Sequence, residues 1–303
     1  MIRKSPMKQE DKQTISGADF EQYFQPQSLE KALEIKAEYE DQIEVAAGST
    51  DLLVANYERL HEIANWLDLV KLDDLKKIEV RDNKLHIGAM TTHLQLMNSD
   101  LVKENLAVLA AAAEDVGSPQ IRSRGTIGGN ICTSSPAGDL LAPLLSYEAS
   151  FKLQSVEGER IVDAEKFFTG PKRNLMEADE LLTEIMIPLR ENPREGAWIK
   201  VGRRKALVIS TLTLSLVLEF EADKIVKSGL AMGSVAPTPI RLKEVEAMMV
   251  GKNLSELDYK KLGQEVKARI NPIDDLRGTK EYREDVAVDL MVRALNEIER
   301  KRG

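Results

Sequence analysis

The stretch "GTIGGNICTSSPAGD", Gly125 to Asp139, constrains this chain more than any other, because it carries too little side-chain volume to build a core. Five of the eighteen glycines fall between Gly117 and Gly138, far more than uniform scatter would place there. Glycine tolerates positive φ and lets a ligand approach the backbone N–H groups closely. The segment reads either as a glycine-rich turn joining two elements or as a loop wrapped around a ligand. A second small-residue turn, "AAGSTD" from Ala46 to Asp51, again follows a β-prone run and again exposes backbone amides. Neither is a G-x-G-x-x-G dinucleotide fingerprint after a strand, and neither has the G-K-[ST] order of a P-loop. Two separated nests of backbone donors suit a long, bent ligand with a pyrophosphate and a flat ring, and FAD is the common cofactor of that shape.

The rest of the chain bounds the answer. Its 303 residues predict two domains or three small ones. A net charge of −8 argues against nucleic acid, which needs a basic face. No apolar run approaches the length of a membrane span, and the polar start, residues 1–18, reads as a disordered or docking extension rather than a signal peptide. One cysteine rules out an internal disulfide and any metal or iron–sulfur site built from cysteines of this chain alone. His61, His86 and His93 lack metal spacing and read as structural or surface residues; no metal site and no acid/base dyad or nucleophile stands out. A cytoplasmic protein is the default expectation.

Along the chain, Leu29, Ala32, Leu33 and Ile35 predict a helix with Ser28 as N-cap. Ile78 and Val80 are expected to pair with Leu85 and Ile87 across Asp82-Asn83-Lys84. "LVKENLAVLAAAAEDVG" predicts one alanine-rich helix closed by Gly117. A hairpin turns at Glu157-Gly158, and "ADELLTEIMIPL" predicts a strand ending at Pro188. "RENPREGA" reads as a polar linker and the domain boundary. Long β-type runs then turn at Asp223-Lys224, and "EYREDVAVDLMVRALNEIERK" predicts a last helix. The expectation is an α+β chain in two parts.

"VAAGSTDLL", "QIRSRGTIGGNICTSSPAGDLLAPLL", "SVAPTPIRLKEVEAMMVGK" and "DDLRGTKEYREDVAVDLMVRAL" stand in the same order as in the FAD-binding subunits of molybdenum hydroxylases, which this chain resembles over about residues 20 to 300. Those are the xanthine, nicotinate and carbon monoxide dehydrogenase type. The resemblance implies an FAD-binding domain over 19–190, of the two-subdomain vanillyl-alcohol-oxidase type with subdomains about 19–75 and 76–190, and a small C-terminal α+β domain over 195–303, of the carbon monoxide dehydrogenase flavoprotein type. It also implies partners: a subunit with two-iron, two-sulfur clusters and a molybdopterin subunit, with NAD or another acceptor receiving the electrons.

Roles carry over by position. Val45, Ala46, Ala47, Gly48, Ser49, Thr50 and Asp51 match the loop that wraps the FAD pyrophosphate. Many members have Gly-Gly-Thr where this chain has Gly48-Ser49-Thr50, so Ser49 is expected to need an unstrained φ. Thr126, Ile127, Gly128, Gly129 and Asn130 match the second loop, lining pyrophosphate and flavin. Asp139 matches a carboxylate that accepts from a cofactor hydroxyl; its alternative is an N-cap for "LLAPLLSYE", and both can hold at once. Leu182 matches an apolar cofactor contact, or else it is a core strand residue. Lys200 matches a lysine near the flavin, where a cation favours the reduced ring; its alternative is a solvated charge in "KVGRRK". Arg122 and Arg124 are candidates for meeting a partner carboxylate or the anionic cofactor, or else a solvated turn. Cys132 reads as a small buried hydrophobe. No insertion with extra cysteines is present, which excludes the 4-hydroxybenzoyl-CoA reductase branch. The alternatives of another class are an FAD-binding scaffold and a self-contained flavin oxidoreductase without molybdenum partners.

Overall fold

The computed structural model describes residues 22–58, 64–204 and 207–303. The expected N-terminal extension over 1–18 and His61 lie outside the described residues.

Strand β1 (Gln22–Phe24), helix α1 (Leu29–Tyr39), strand β2 (Glu44–Ala46), helix α2 (Leu52–Tyr57) and strand β3 (Asn65–Asp68) come first, the strands forming a parallel sheet in the order β1-β3-β2. Parallel neighbours need crossover connections, and the two helices run in them. Ser28 caps α1 as expected, accepting from the Lys31 amide at 3.3 Å. Phe24, Ile35 and Leu67 close a small core beneath this sheet.

A five-stranded antiparallel sheet follows, built from β4 (Ile78–Arg81), β5 (Lys84–Gly88), β6 (Ser150–Ser155), β7 (Gly158–Asp163) and, after the small β8 (Phe168–Gly170) and β9 (Arg173–Asn174), β10 (Leu181–Pro188). The spatial order is β4-β5-β10-β6-β7. Ile78 faces Ile87 and Val80 faces Leu85 as the alternation predicts, with Asp82 and Asn83 both at positive φ in the tight turn. Between β5 and β6 lie α3 (His93–Asn98), α4 (Asp100–Asn105), α5 (Ala107–Glu114), α6 (Pro119–Arg124), α7 (Ile127–Thr133) and α8 (Leu141–Ser146), and α9 (Ala164–Phe167) follows β7. The expected single helix closed by Gly117 is two helices. The chain leaves helical dihedrals at Leu106 (φ −137, ψ 49), whose side chain is buried in the main core, and α5 is capped at Asp115, two residues before Gly117.

The expected linker is shorter than "RENPREGA", because β11 (Arg194–Val201) already starts inside it. Gly196 is a packing residue there, not a hinge: a Cβ on it would lie 2.4 Å from Val108 Cγ2 on α5 and 2.7 Å from the Leu216 carbonyl oxygen. β11, β12 (Leu212–Glu221), β13 (Lys224–Gly233) and β14 (Ile240–Arg241) form an antiparallel sheet in that order. The β12–β13 turn falls on Ala222-Asp223, one residue earlier than expected, with Ala222 at positive φ. Helices α10 (Lys243–Met249), α11 (Tyr259–Lys267) and α12 (Lys280–Arg302) cover one face of this sheet.

Alternation divides β12 and β13 between two cores. Leu212, Leu214, Leu216, Leu218, Leu230 and Met232 pack under the C-terminal helices, while Val217 and Ala231 join the core of the five-stranded sheet. The second face is made of small residues, so it can lie directly on α8. Ser146 and Ser215 hydroxyls meet at 2.6 Å, and a Cβ on Gly229 would lie 2.0 Å from the Ser146 carbonyl oxygen. Both faces of this strand are covered, and "LTLSLVL" shows it by alternating leucines for one core with small Thr, Ser and Val for the other.

Candidate cofactor site

The two turns singled out in the sequence meet. Gly48 sits so close to the backbone of residues 124–125 that a Cβ on it would be 2.1 Å from the Arg124 carbonyl oxygen. Beside this joint lies a cavity of about 300 Å³, lined by Ala47, Met90, Thr92, Arg124 and Thr126 among others.

The first turn is open. After β2 ends at Ala46, the amides of Ala47, Gly48, Ser49, Thr50 and Asp51 donate to no acceptor among the described residues. Such a run of unpaired donors is built to meet an anion. Val45, on β2, is half-buried opposite Leu67 and holds the base of the turn. Ser49 corrects an expectation: its φ is +57, the left-handed region, and not an unstrained value. Its carbonyl accepts from the Leu53 amide at 3.1 Å, which starts α2 and fixes the turn in that conformation.

The second turn corrects another expectation, because it is the start of a helix. Thr126 caps α7, its Oγ1 accepting from the Gly129 amide at 3.0 Å. Ile127 donates to Thr91 O at 2.9 Å, Gly128 to Ala89 O at 2.9 Å and Asn130 to Thr126 O at 3.0 Å. These amides are committed and form no second nest of free donors. Gly128 is small because Ala89 O would lie 2.6 Å from a Cβ, whereas a Cβ on Gly129 would meet only Thr126 Oγ1, at 3.1 Å. Gly129 therefore opens onto free space. Asn130 Oδ1 is buried beside it without a partner.

Asp139 and Lys200 are brought together. Lys200 Nζ donates to Asp139 Oδ2 at 2.6 Å and to Asp115 O at 3.0 Å. The two side chains of the pair are 11% and 8% exposed, so Lys200 is not the solvated charge its basic neighbours suggest. The buried neighbouring carboxylate also cancels much of the field that a lone ammonium would carry. Asp139 does not cap α8, whose N-cap is Leu140 with no side-chain bond. Burial raises the Asp139 carboxyl to about 6 in spite of the Lys200 ammonium, and its Oδ1 is buried without a partner. Leu182 is 5% exposed within the main core, where β10 changes register against β6.

Arg122 is spoken for, donating to Val116 O and Gly117 O at 3.2 and 3.1 Å. Arg124 has no side-chain partner among the described residues and lines the cavity. Cys132 packs on the core with its thiol 3.6 Å from Met176 Sδ, and burial pushes that thiol up to about 12. Sequence reasoning passed over "MTTH" (Met90 to His93). Thr92 bridges to Thr126, Thr91 supplies the carbonyl that holds Ile127, and His93 lies against Gly125 with Nδ1 buried and unpartnered. Burial lowers His93 to about 4, with the Arg122 charge adding to it. Only the pairing of these threonines and this histidine with the second turn marks them, and that pairing is tertiary. Among the described residues no group of three or more His, Cys, Asp or Glu could hold a metal, and no helix is long and apolar enough to cross a membrane.

Comparison with known proteins identifies what these turns belong to. Residues 18–190 match the FAD binding domain in molybdopterin dehydrogenase, and residues 197–298 match the CO dehydrogenase flavoprotein C-terminal domain. The chain belongs to the FAD-binding subunits of the molybdenum hydroxylases. It is 36% identical over 242 residues to the nicotinate dehydrogenase FAD-subunit of Eubacterium barkeri, covering 78% of this chain and 81% of that one. With the xanthine dehydrogenase FAD-binding subunit of Escherichia coli it shares 31% identity over 88% of its own length and 91% of the relative's. A solved carbon monoxide dehydrogenase from Hydrogenophaga pseudoflava, lacking the Mo-pyranopterin moiety of its molybdenum cofactor, superposes with a TM-score of 0.88 at 30% identity, over 93% of this chain and 97% of that one. The fold is thus the two-subdomain FAD-binding fold followed by the flavoprotein C-terminal domain, and the protein is an oxidoreductase of the xanthine dehydrogenase family. The orphaned acceptors on Asn130 and Asp139, the free amides of residues 47–51 and the space above Gly129 fit an FAD.

Proposed function

We propose that this chain is the electron-transfer subunit of a molybdopterin-dependent hydroxylase or dehydrogenase, taking electrons from iron–sulfur clusters of a partner subunit and passing them to NAD or another acceptor. FAD, when bound, supplies a centre that collects electrons singly and releases them in pairs. The chain's residues then have binding and electrostatic roles rather than acid/base ones. The amides of Ala47, Gly48, Ser49, Thr50 and Asp51 donate to the diphosphate, while Val45 and Ala46 anchor that turn on its strand. Thr126, Ile127 and Gly128 hold the second turn in shape, and Gly129 and Asn130 present space and an acceptor. Asp139 accepts from a cofactor hydroxyl, Lys200 balances its charge, and Leu182 backs the site from the core. We read residues 19–190 as the FAD-binding domain and 195–303 as the C-terminal one, and a cytoplasmic complex with a molybdopterin subunit as the working form.

The observation that carries this reading is the run of five amides, Ala47 to Asp51, that have no acceptor among the described residues and lie beside the start of α7. The test is to purify the chain with its neighbours, assay NAD⁺ reduction by a substrate panel, and reduce the flavin directly with dithionite. We expect bound FAD, reducible by substrate only when the iron–sulfur partner is present. Full substrate-dependent activity of the chain alone would overturn the relay.

A further inference from the structure

Strand β11 runs from Arg194 into the C-terminal matched region, which begins at residue 197, yet its alternation turns Gly196, Trp198 and Lys200 toward the FAD-binding region. Gly196 lets the strand lie on α5. Two residues on, the Trp198 indole N–H donates to Asp115 Oδ2 at 2.8 Å, at the end of that helix. Two residues further, the Lys200 ammonium takes the Asp115 carbonyl at 3.0 Å and Asp139 Oδ2 at 2.6 Å. Same-face residues of one strand thus grip a single aspartate, and the second of them reaches through to the carboxylate of the cofactor site. That carboxylate uses one oxygen for Lys200 and keeps the other buried and unpaired. A buried carboxylate stripped of its counter-charge takes up a proton or leaves its position.

We propose that Lys200 is a positioning residue that acts on the cofactor through Asp139: β11 clamps this carboxylate from across the junction, keeping one oxygen on the lysine and the other free for FAD. FAD retention by residues of the first region then depends on how the second is seated. This rests on the reading of Asp139 as a cofactor ligand. It differs from a direct contact between Lys200 and the flavin, for which the ammonium has one N–H left.

The experiment is a double-mutant cycle on the full chain, stripped of flavin and titrated with FAD by fluorescence at pH 7.5. Lys200→Met is expected to weaken FAD at least ten-fold, Lys200→Arg to restore most of it, and Lys200→Met in the Asp139→Asn background to cost less than three-fold, since a neutral amide needs no counter-charge. In Lys200→Met the FAD affinity should also become pH-dependent above 6. The charged groups facing Asp139 are Lys200 on β11 and Asp115 at the end of α5, and only the repulsive one remains. Should Lys200→Met not fold, Trp198→Phe keeps both charges and loosens the grip; a three-fold loss that vanishes in the Asp139→Asn background is the expected result. Equal losses in both backgrounds, or no loss at all, overturn the proposal. A wild-type chain that takes up no FAD overturns the underlying functional reading instead, whereas binding with an additive cycle overturns the clamp alone.

Discussion

The two small-residue turns look alike in the sequence and do opposite things in the fold. At residues 47–51 the amides donate to no acceptor among the described residues, and one serine is held at positive φ. At residues 126–130 nearly every amide is used: a threonine cap, two carbonyls from residues 89 and 91, and the first turn of α7. Smallness serves exposure of donors in the first and close packing in the second, with Gly129 as the exception that faces open space. Low side-chain volume therefore identifies where backbone must come close to something. It does not say whether that something is a ligand or the protein itself.

The largest effect expected is at the joint between the turns. Gly48→Ala puts a Cβ 2.1 Å from the Arg124 carbonyl oxygen, and neither backbone can yield without separating the turns. Overpacking of this kind costs ~3 kcal/mol, so both the melting temperature without FAD and the FAD affinity should fall. Gly128→Ala, 2.6 Å from Ala89 O, should lower stability in the same way. An unchanged melting temperature in Gly48→Ala would mean that the turns do not bear on each other.

Gly129→Leu breaks the comparison from the other side. Its Cβ meets only the Thr126 hydroxyl at 3.1 Å, so the flavin-free protein should melt within a few degrees of wild type while FAD binding is lost. Asp139→Ala should weaken FAD by ~1.5–3 kcal/mol, about ten- to a hundred-fold, with the fold intact. A normal flavin absorption band in Gly129→Leu, or an unchanged dissociation constant in Asp139→Ala, would remove that residue from the site.

Much of this was readable from the chain and some was not, for identifiable reasons. The Ile78–Ile87 hairpin and α12 follow local alternation or helical periodicity, β10 reads as a short apolar run ended by Pro188, and the T-I-G-G-N segment is specific to the family. The start of α7 was hidden because two glycines argue against a helix, and only the Thr126 cap with carbonyls from residues 89 and 91 makes one there. The seat of β11 was hidden inside a stretch that looked like a linker. Gly196 reads as flexibility until Val108 is seen lying against it. The Asp139–Lys200 pair spans sixty-one residues and leaves no local trace.

Acid dependence separates the groups behind the second turn. His93 has its folded value lowered to about 4, so below 6.5 the unfolded chain takes up a proton that the native one refuses. Stability from this group is lost as pH falls from 6.5 to 4, by about 3 kcal/mol. Asp139 is raised to about 6, so between 6 and 3.8 the native chain holds the extra proton and stability rises on acidification. The two oppose each other in flavin-free protein. Urea midpoints at pH 6.5 and 4.5 should therefore shift upward on acidification in His93→Gln and downward in Asp139→Asn, each relative to wild type. Identical shifts in all three proteins would mean that neither group is perturbed by the fold.

The smallest effect concerns Ser49. A serine at φ +57 costs ~1–2 kcal/mol relative to a residue at ease there. Glycine removes that strain but gives the unfolded chain ~0.5–1 kcal/mol more entropy to lose. Ser49→Gly is thus expected to gain ~0.5 kcal/mol in urea unfolding, with FAD affinity unchanged within two-fold if the backbone amides carry the diphosphate. Ser49→Ala keeps the strain and removes only the hydroxyl, so it should stay at wild-type stability. If Ser49→Gly and Ser49→Ala both weaken FAD ten-fold, the hydroxyl is a ligand, and the first turn is no longer a pure nest of amides set against a turn of packed glycines. If neither does, the strain at Ser49 is tolerated solely to aim five N–H groups at one place.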